Sequence, residues 1–171
     1  MTPKPQIEKL KTGLAGEYLV AGIMQMKGWI SSLTLKNYPG VDIFGMNPDC
    51  DDNRVANIQV KTTVDSTFWV GLKYSQRKNI RDYILGPYVF VHLPKTDKLQ
   101  RQTSTEIKDA EFFILSRNQV IDLIEKTDDA YRQIKREKPL KEDYSIAILL
   151  KRDKVFLEPY RDKWENLWIS E

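Results

Sequence analysis

The sequence predicts an α/β fold, a mixed sheet with an antiparallel hairpin and helices on both faces, and three observations carry that expectation. Over residues 6–28, Leu10, Leu14, Ala21 and Met24 recur at helical spacing along one stripe. Residues 41–46 and 55–63 read as two strands joined as a hairpin across the polar 47–54 loop. Tyr88 to Leu93 is almost entirely apolar, the pattern of a strand covered on both faces.

Taken in order, the first helix follows Pro3 and Pro5 and stops at Gly28. Trp29 to Leu35 is a short β-type run, and Asn37-Tyr38-Pro39-Gly40 carries turn chemistry before the strand that starts at Val41. Val55 to Thr63 alternates strongly, and Phe68 to Leu72 is expected to extend the same meander. After the 88–93 strand, Phe112 to Leu115 reads as another. Ser116 is placed to cap a helix carrying Val120, Ile121 and Ile124. The mixed-charge stretch 127–145 reads as a helix followed by an exposed loop. Tyr160, Trp164 and Trp168 share one face of an expected C-terminal helix, where packing on the core is the simpler reading than base stacking.

The composition excludes several classes of protein. At 171 residues the chain has the length of one domain, residues 1–171. With 41% hydrophobic and 30% charged residues it is neither disordered nor membrane-like. Its apolar runs fall short of a bilayer span and the N-terminus has no apolar signal core, so no membrane association and a cytoplasmic location are expected. Cys50 is the only cysteine, which rules out an internal disulfide and a cysteine-based zinc site. The net charge of +3 is unevenly spread: residues 71–101 carry seven Lys or Arg against two Asp. Within that segment Lys73, Arg77, Lys78 and Arg81 are candidate phosphate contacts, or else a solvated basic loop.

The candidate chemistry lies on the hairpin. Alternate side chains of a strand share a face, so Gln59 and Lys61 project together about 6.5–7 Å apart, with Ile58, Val60 and Thr62 opposite. If the 41–46 strand pairs beside them, Asp42 approaches the same patch. Mg²⁺ takes oxygen ligands and commonly uses only one or two protein carboxylates; Asp42, the Gln59 side-chain oxygen and the Val60 carbonyl would suffice. Lys61 would then help position or deprotonate an attacking water and offset charge on the phosphorane. Glu17 falls within the apolar stripe of the first helix, where a carboxylate needs a cation, the metal or Lys61, or an escape at the stripe's edge. Gly16 beside it allows close approach. A Gln-x-Lys tripeptide alone is weak evidence, since it also suits a solvated strand face.

A helix with Glu, then Gly-Val-Asp on one strand and Gln-x-Lys on the next, resembles the PD-(D/E)XK nuclease-like superfamily, which includes archaeal Holliday-junction resolvases and restriction endonucleases. The stretches GLAGEYLVAGIMQMKGW, YPGVDIFG and NIQVKTT are similar to an uncharacterised prokaryotic branch of it, and KVFLEPYRDKWENLWI looks like that branch's C-terminal ending. The resemblance implies a three-layer α/β/α restriction-endonuclease-like core. It implies a Mg²⁺-dependent endonuclease, with Mn²⁺ able to substitute, acting on the phosphodiester bonds of nucleic acid, DNA by expectation, and in many members working as a homodimer. Asp42 would be the "PD" aspartate, with Pro39 displaced three residues earlier. Gln59 and Lys61 would be the (D/E)XK pair, and Glu17 the helix carboxylate. Gln59 departs from the commoner carboxylate and removes one negative charge from the site. The alternative is a catalytically silent scaffold of the same fold that binds nucleic acid or a protein partner.

Two other patterns carry less. Asp49, Asp51 and Asp52 hint at a calcium loop but lack its Gly and Glu at the required positions, so a polar hairpin turn is expected. His92, the only histidine, lies in an apolar strand and reads as a packed or edge residue rather than a general base.

Overall fold

A computed structural model of the chain describes residues 4–35, 40–50, 54–93, 110–134 and 144–169. Pro39, the Asp51-Asp52 pair and residues 135–143, within the stretch read as a helix followed by an exposed loop, therefore lie outside the described residues.

The first helix, α1 (Lys4–Met26), is followed by β1 (Ile30–Leu33), β2 (Ile43–Met46), β3 (Val55–Thr63) and β4 (Thr67–Lys73). A 3₁₀ turn (Tyr74–Asn79) leads into the short α2 (Ile80–Tyr83). Then come β5 (Tyr88–His92), β6 (Glu111–Leu115), α3 (Arg117–Ile134), β7 (Ser145–Leu149) and α4 (Leu150–Leu157). Two 3₁₀ turns, Glu158–Tyr160 and Trp164–Trp168, finish the described chain. The protein is thus mixed α/β, with four α-helices among the described residues and a mixed five-stranded sheet in the order β1-β2-β3-β5-β6. No helix among the described residues is long and apolar enough to cross a membrane.

β1, β2 and β3 form an antiparallel meander, with Ile43 opposite Ile58. β5 then runs parallel to β3, placing Gln59 beside Tyr88 and Lys61 beside Phe90, and β6 returns antiparallel to β5. Alternation along these strands divides the interior in two. Ile43, Ile58, Val60, Val89, Val91 and Ile114 face one way and pack with Val20 and Met24 of α1 and with Trp164 and Leu167. Tyr88, Phe90, Phe113 and Leu115 face the other way, against Val120, Ile121, Leu123 and Ile124 of α3. β5 is central and buried on both faces, as its unbroken apolar pattern requires.

Several elements differ from the sequence expectation. β4 does not extend the β1-β2-β3 meander but pairs antiparallel with β7 in a separate two-stranded sheet. Phe68, Val70 and Leu72 need a partner surface, and they find it over Phe90 and α3 in the second half of the interior. β7 and α4 occupy chain that was expected to be loop or was left unassigned, because SIAILLKRD carries no break between strand and helix. The expected C-terminal helix is two 3₁₀ turns instead. Between them Arg161 bridges to Phe113 on β6, and Asp162 adopts φ 54° while its N–H donates to the Phe112 carbonyl. Tyr160 and Trp164 nonetheless pack on the core as expected. In α1 the buried line is Gly16, Val20 and Met24 rather than the Leu10-Leu14-Ala21-Met24 stripe; Leu10 is 54% exposed.

The helix ends follow their local chemistry. The Gly28 and Trp29 N–H groups donate back to Gln25 and Met24, closing α1 where a stop was expected. At the start of α3, Gln119 Oε1 accepts the Ser116 N–H at 2.9 Å, and the Ser116 hydroxyl reciprocates towards Gln119 N at 3.5 Å.

His92 is held by Glu111 across the β5–β6 ladder, with Nδ1 2.8 Å from Oε2. His92 is thus half-buried on an interior strand, the packed alternative of the two expected for it. Glu111 also accepts from Lys154 at 2.9 Å and Arg161 at 2.8 Å. Burial raises the Glu111 pKa, but the hydrogen bonds from His92, Lys154 and Arg161 outweigh it and bring the carboxyl to about 2. A depressed carboxyl stabilises the fold fully above its unfolded pKa near 4.5 and loses that contribution as pH falls towards 2. We expect wild type to lose roughly 2–3 kcal/mol of stability across that window from this group. Urea titrations from pH 5 to pH 2 should show a correspondingly flatter profile for Glu111→Gln; parallel profiles would refute the assignment.

Candidate active site

Asp42 immediately precedes β2, and the hairpin register brings it opposite the middle of β3. Its backbone is fixed on both sides: the Asp42 N–H donates to the Ile58 carbonyl, and its carbonyl accepts the Thr34 N–H, each at 2.9 Å. Its carboxylate Oδ2 accepts the Val60 N–H at 2.8 Å and the Gln59 side-chain amide. The three hairpin residues read from the sequence therefore meet. Gln59 is buried to 7% exposure, which excludes the solvated strand face for that residue.

The ladder explains why Val60 turns its backbone to Asp42. Gln59 N bonds to Pro87 and Thr63 O accepts from Leu93, so the odd-numbered residues of β3 direct their backbone groups at β5. Val60, between them, directs its N–H and carbonyl to the opposite edge, where β2 has already ended and Asp42 stands. A carboxylate, a side-chain amide and a main-chain carbonyl thus border one short stretch of strand edge.

Lys61 shares the Gln59 face. Burial pushes the Lys61 pKa below its usual value, while the negative charges of Asp42 and then Glu17 act in the opposite sense. Its Nζ lies 6.0 Å from the centroid of the Tyr88 ring. Burial, then the Asp42 charge, raises the Tyr88 pKa, so this phenol stays neutral at physiological pH.

Glu17 is half-buried at the flank of the true α1 stripe, the edge position that a carboxylate tolerates. α1 lies directly on β3 at Gly16, on the Thr62 side of the strand, and the Glu17 charge acts on Lys61. A Cβ on Gly16 would stand 1.8 Å from Thr62 Oγ1, closer than any side chain allows. Only a glycine permits that approach.

The basic residues after β4 are placed differently. Arg77 pairs with the buried Asp128 at 3.0 Å and with Asp129 at 3.1 Å, tying the 3₁₀ turn to α3. Arg81 donates to Asn118 at 2.9 Å, Lys73 Nζ lies 3.4 Å from the Ser145 hydroxyl, and Lys78 is exposed. Arg77 and Arg81 thus do structural work that the charge count did not reveal. An open groove lined by residues including Arg54, Asn57, Leu85, Gly86 and Arg117 contains none of Asp42, Gln59, Lys61 or Glu17.

Among the described residues, no three His, Cys, Asp or Glu side chains converge as a metal cluster. The donors at the hairpin edge, one carboxylate with amide and carbonyl oxygens, nevertheless fit a hard cation that keeps much of its water. The Gln59 amide donates to Asp42; turned over about its last torsion it presents Oε1 instead.

Tyr88 is the residue that sequence reasoning missed. The available signal was a phenol in an otherwise apolar, doubly buried strand, a place where a polar group needs a partner. Comparison with protein-family models, curated proteins and solved structures returned no match.

Proposed function

We propose that the chain is a metal-dependent nuclease with a restriction-endonuclease-like core, hydrolysing phosphodiester bonds of nucleic acid, DNA in the first instance. The observation that carries this reading is the convergence of Gln59 and the Val60 N–H on Asp42 Oδ2, with Lys61 on the same strand face. The order α1, antiparallel hairpin and parallel β5 supports the core assignment. The resemblance of the Gly-Val-Asp and Gln-x-Lys segments supports the activity.

Asp42, the Gln59 side-chain oxygen and the Val60 carbonyl would hold Mg²⁺ or Mn²⁺, with Glu17 as a further or outer carboxylate. When bound, such a cation supplies Lewis acidity to the phosphate and acidifies a water. The chain's own contributions are more specific. Asp42 is oriented before any substrate arrives by its two hydrogen bonds, which removes the cost of ordering it during reaction. Lys61 Nζ carries positive charge towards the developing phosphorane, and its depressed pKa eases transfer of a proton at that atom.

The test is titration of Mg²⁺ and Mn²⁺ into wild type and Asp42→Ala, following cleavage of single-stranded, duplex and branched DNA and of RNA. Cleavage that requires metal and falls by at least about 100-fold in the variant is expected. One observation favours a second reading, a silent scaffold that binds nucleic acid or a protein partner: the Gln59 amide satisfies Asp42 without a cation. Salt-sensitive binding with no metal-dependent product would select that reading.

A further inference from the structure

Lys61 has four rotatable bonds beyond Cα, and a flexible ammonium is useful in a reaction only if something limits where it goes. Two elements other than its own strand approach it. On β5, Tyr88 stands opposite Gln59 and shares the face of Gln59 and Lys61, with its ring centroid 6.0 Å from Lys61 Nζ. On β4, the backbone of Gly71 passes so near that a Cβ there would stand 3.6 Å from the same nitrogen. The Tyr88 ring is itself fixed: the residue is 3% exposed, and its centroid lies 5.9 Å from that of Phe90, which in turn meets Phe68 edge-on at 5.2 Å. A rigid aromatic face therefore borders the space of the ammonium on one side and a glycine backbone on another.

We propose that Tyr88 is a positioning residue whose ring face holds the Lys61 ammonium towards Asp42, and that the aromatic ring, not the hydroxyl, performs this role. The attraction is that of a cation to the electron-rich face of a ring, strengthened where water is excluded. The value of this placement to catalysis rests on the nuclease reading above; the placement itself does not.

The experiment compares wild type, Tyr88→Phe and Tyr88→Leu in steady-state cleavage and in the proton NMR signals of the Lys61 Cε methylene, assigned by their loss in Lys61→Arg. Tyr88→Met replaces Tyr88→Leu should the latter not fold. Tyr88→Phe is expected to stay within about threefold of wild type in kcat and to keep the two Cε protons inequivalent. The non-aromatic variant is expected to lose about tenfold or more in kcat with KM unchanged, and to collapse the two protons to one averaged signal. The proposal is overturned if Tyr88→Phe is impaired as much as the non-aromatic variant. It is equally overturned if the Cε protons remain inequivalent without the ring, or if KM rises while kcat holds. Should wild type cleave nothing with metal present, the nuclease reading fails, and the NMR comparison still decides where Tyr88 holds Lys61.

Discussion

Lys61→Met is expected to abolish cleavage, by roughly 100-fold to 10,000-fold in kcat, while leaving a folded protein. Methionine keeps the length and most of the apolar stem, so the packing around β3 survives. What disappears is a buried ammonium on which the charges of both Asp42 and Glu17 act. Burying an ammonium is costly, so its removal relieves a desolvation penalty even as it leaves two carboxylates less well compensated. The net effect on the thermal midpoint is expected to be small, and circular dichroism together with single-turnover cleavage separates fold from chemistry. Lys61→Arg refines the outcome. Arginine retains the charge but does not release its proton at accessible pH. Partial activity in Lys61→Arg would assign Lys61 to charge stabilisation, and loss equal to that of Lys61→Met would assign it to proton transfer. Full cleavage by Lys61→Met would end the nuclease reading as formulated.

The hairpin part of this site was legible because it is local. Asp42, Gln59 and Lys61 belong to adjacent strands joined by a short polar loop, and strand periodicity alone decides which side chains share a face. Glu17 was legible in part: its charge acts on Lys61, while the stripe assigned to α1 was rotated because Val20 and Gly16 were not counted with Met24. Chain patterns that depend on distant partners were not legible. β4 looks like a continuation of the meander, since nothing in TFWVGLK states that its partner is β7. The Tyr160-Trp164-Trp168 spacing suits a helix, and the break at Asp162 is imposed by the Arg161 bridge to β6. The pairing of Arg77 and Arg81 with Asp128, Asp129 and Asn118 of α3 was likewise not readable from the local charge pattern. Sequence periodicity fixes faces, whereas pairing between remote segments is set by which apolar faces remain uncovered.

Gly16 is a sensitive structural position, packed against the strand that carries the site. Gly16→Ala is expected to destabilise the protein by about 3 kcal/mol, the upper part of the range for inserting a methyl group into a packed interior. The added Cβ meets Thr62 at three atoms: Oγ1 at 1.8 Å, Cβ at 2.9 Å and Cγ2 at 3.0 Å. Thr62 cannot swing clear cheaply, because it belongs to the central strand and its neighbours Lys61 and Thr63 are hydrogen-bonded into the β3–β5 ladder. α1 must therefore lift, carrying Glu17 with it. For a chain of this size the shift corresponds to a fall of roughly 6–12 °C in Tm. Thr62→Ala supplies the control that ties the effect to this contact. The Thr62 hydroxyl is buried with no hydrogen-bond partner among the described residues, so its removal alone is expected to be neutral or mildly stabilising. Combined with Gly16→Ala it removes two of the three clashes, and the double variant should recover about half of the lost stability, a coupling that independent sites do not show. Simple additivity of the two changes would mean that α1 does not rest on Thr62.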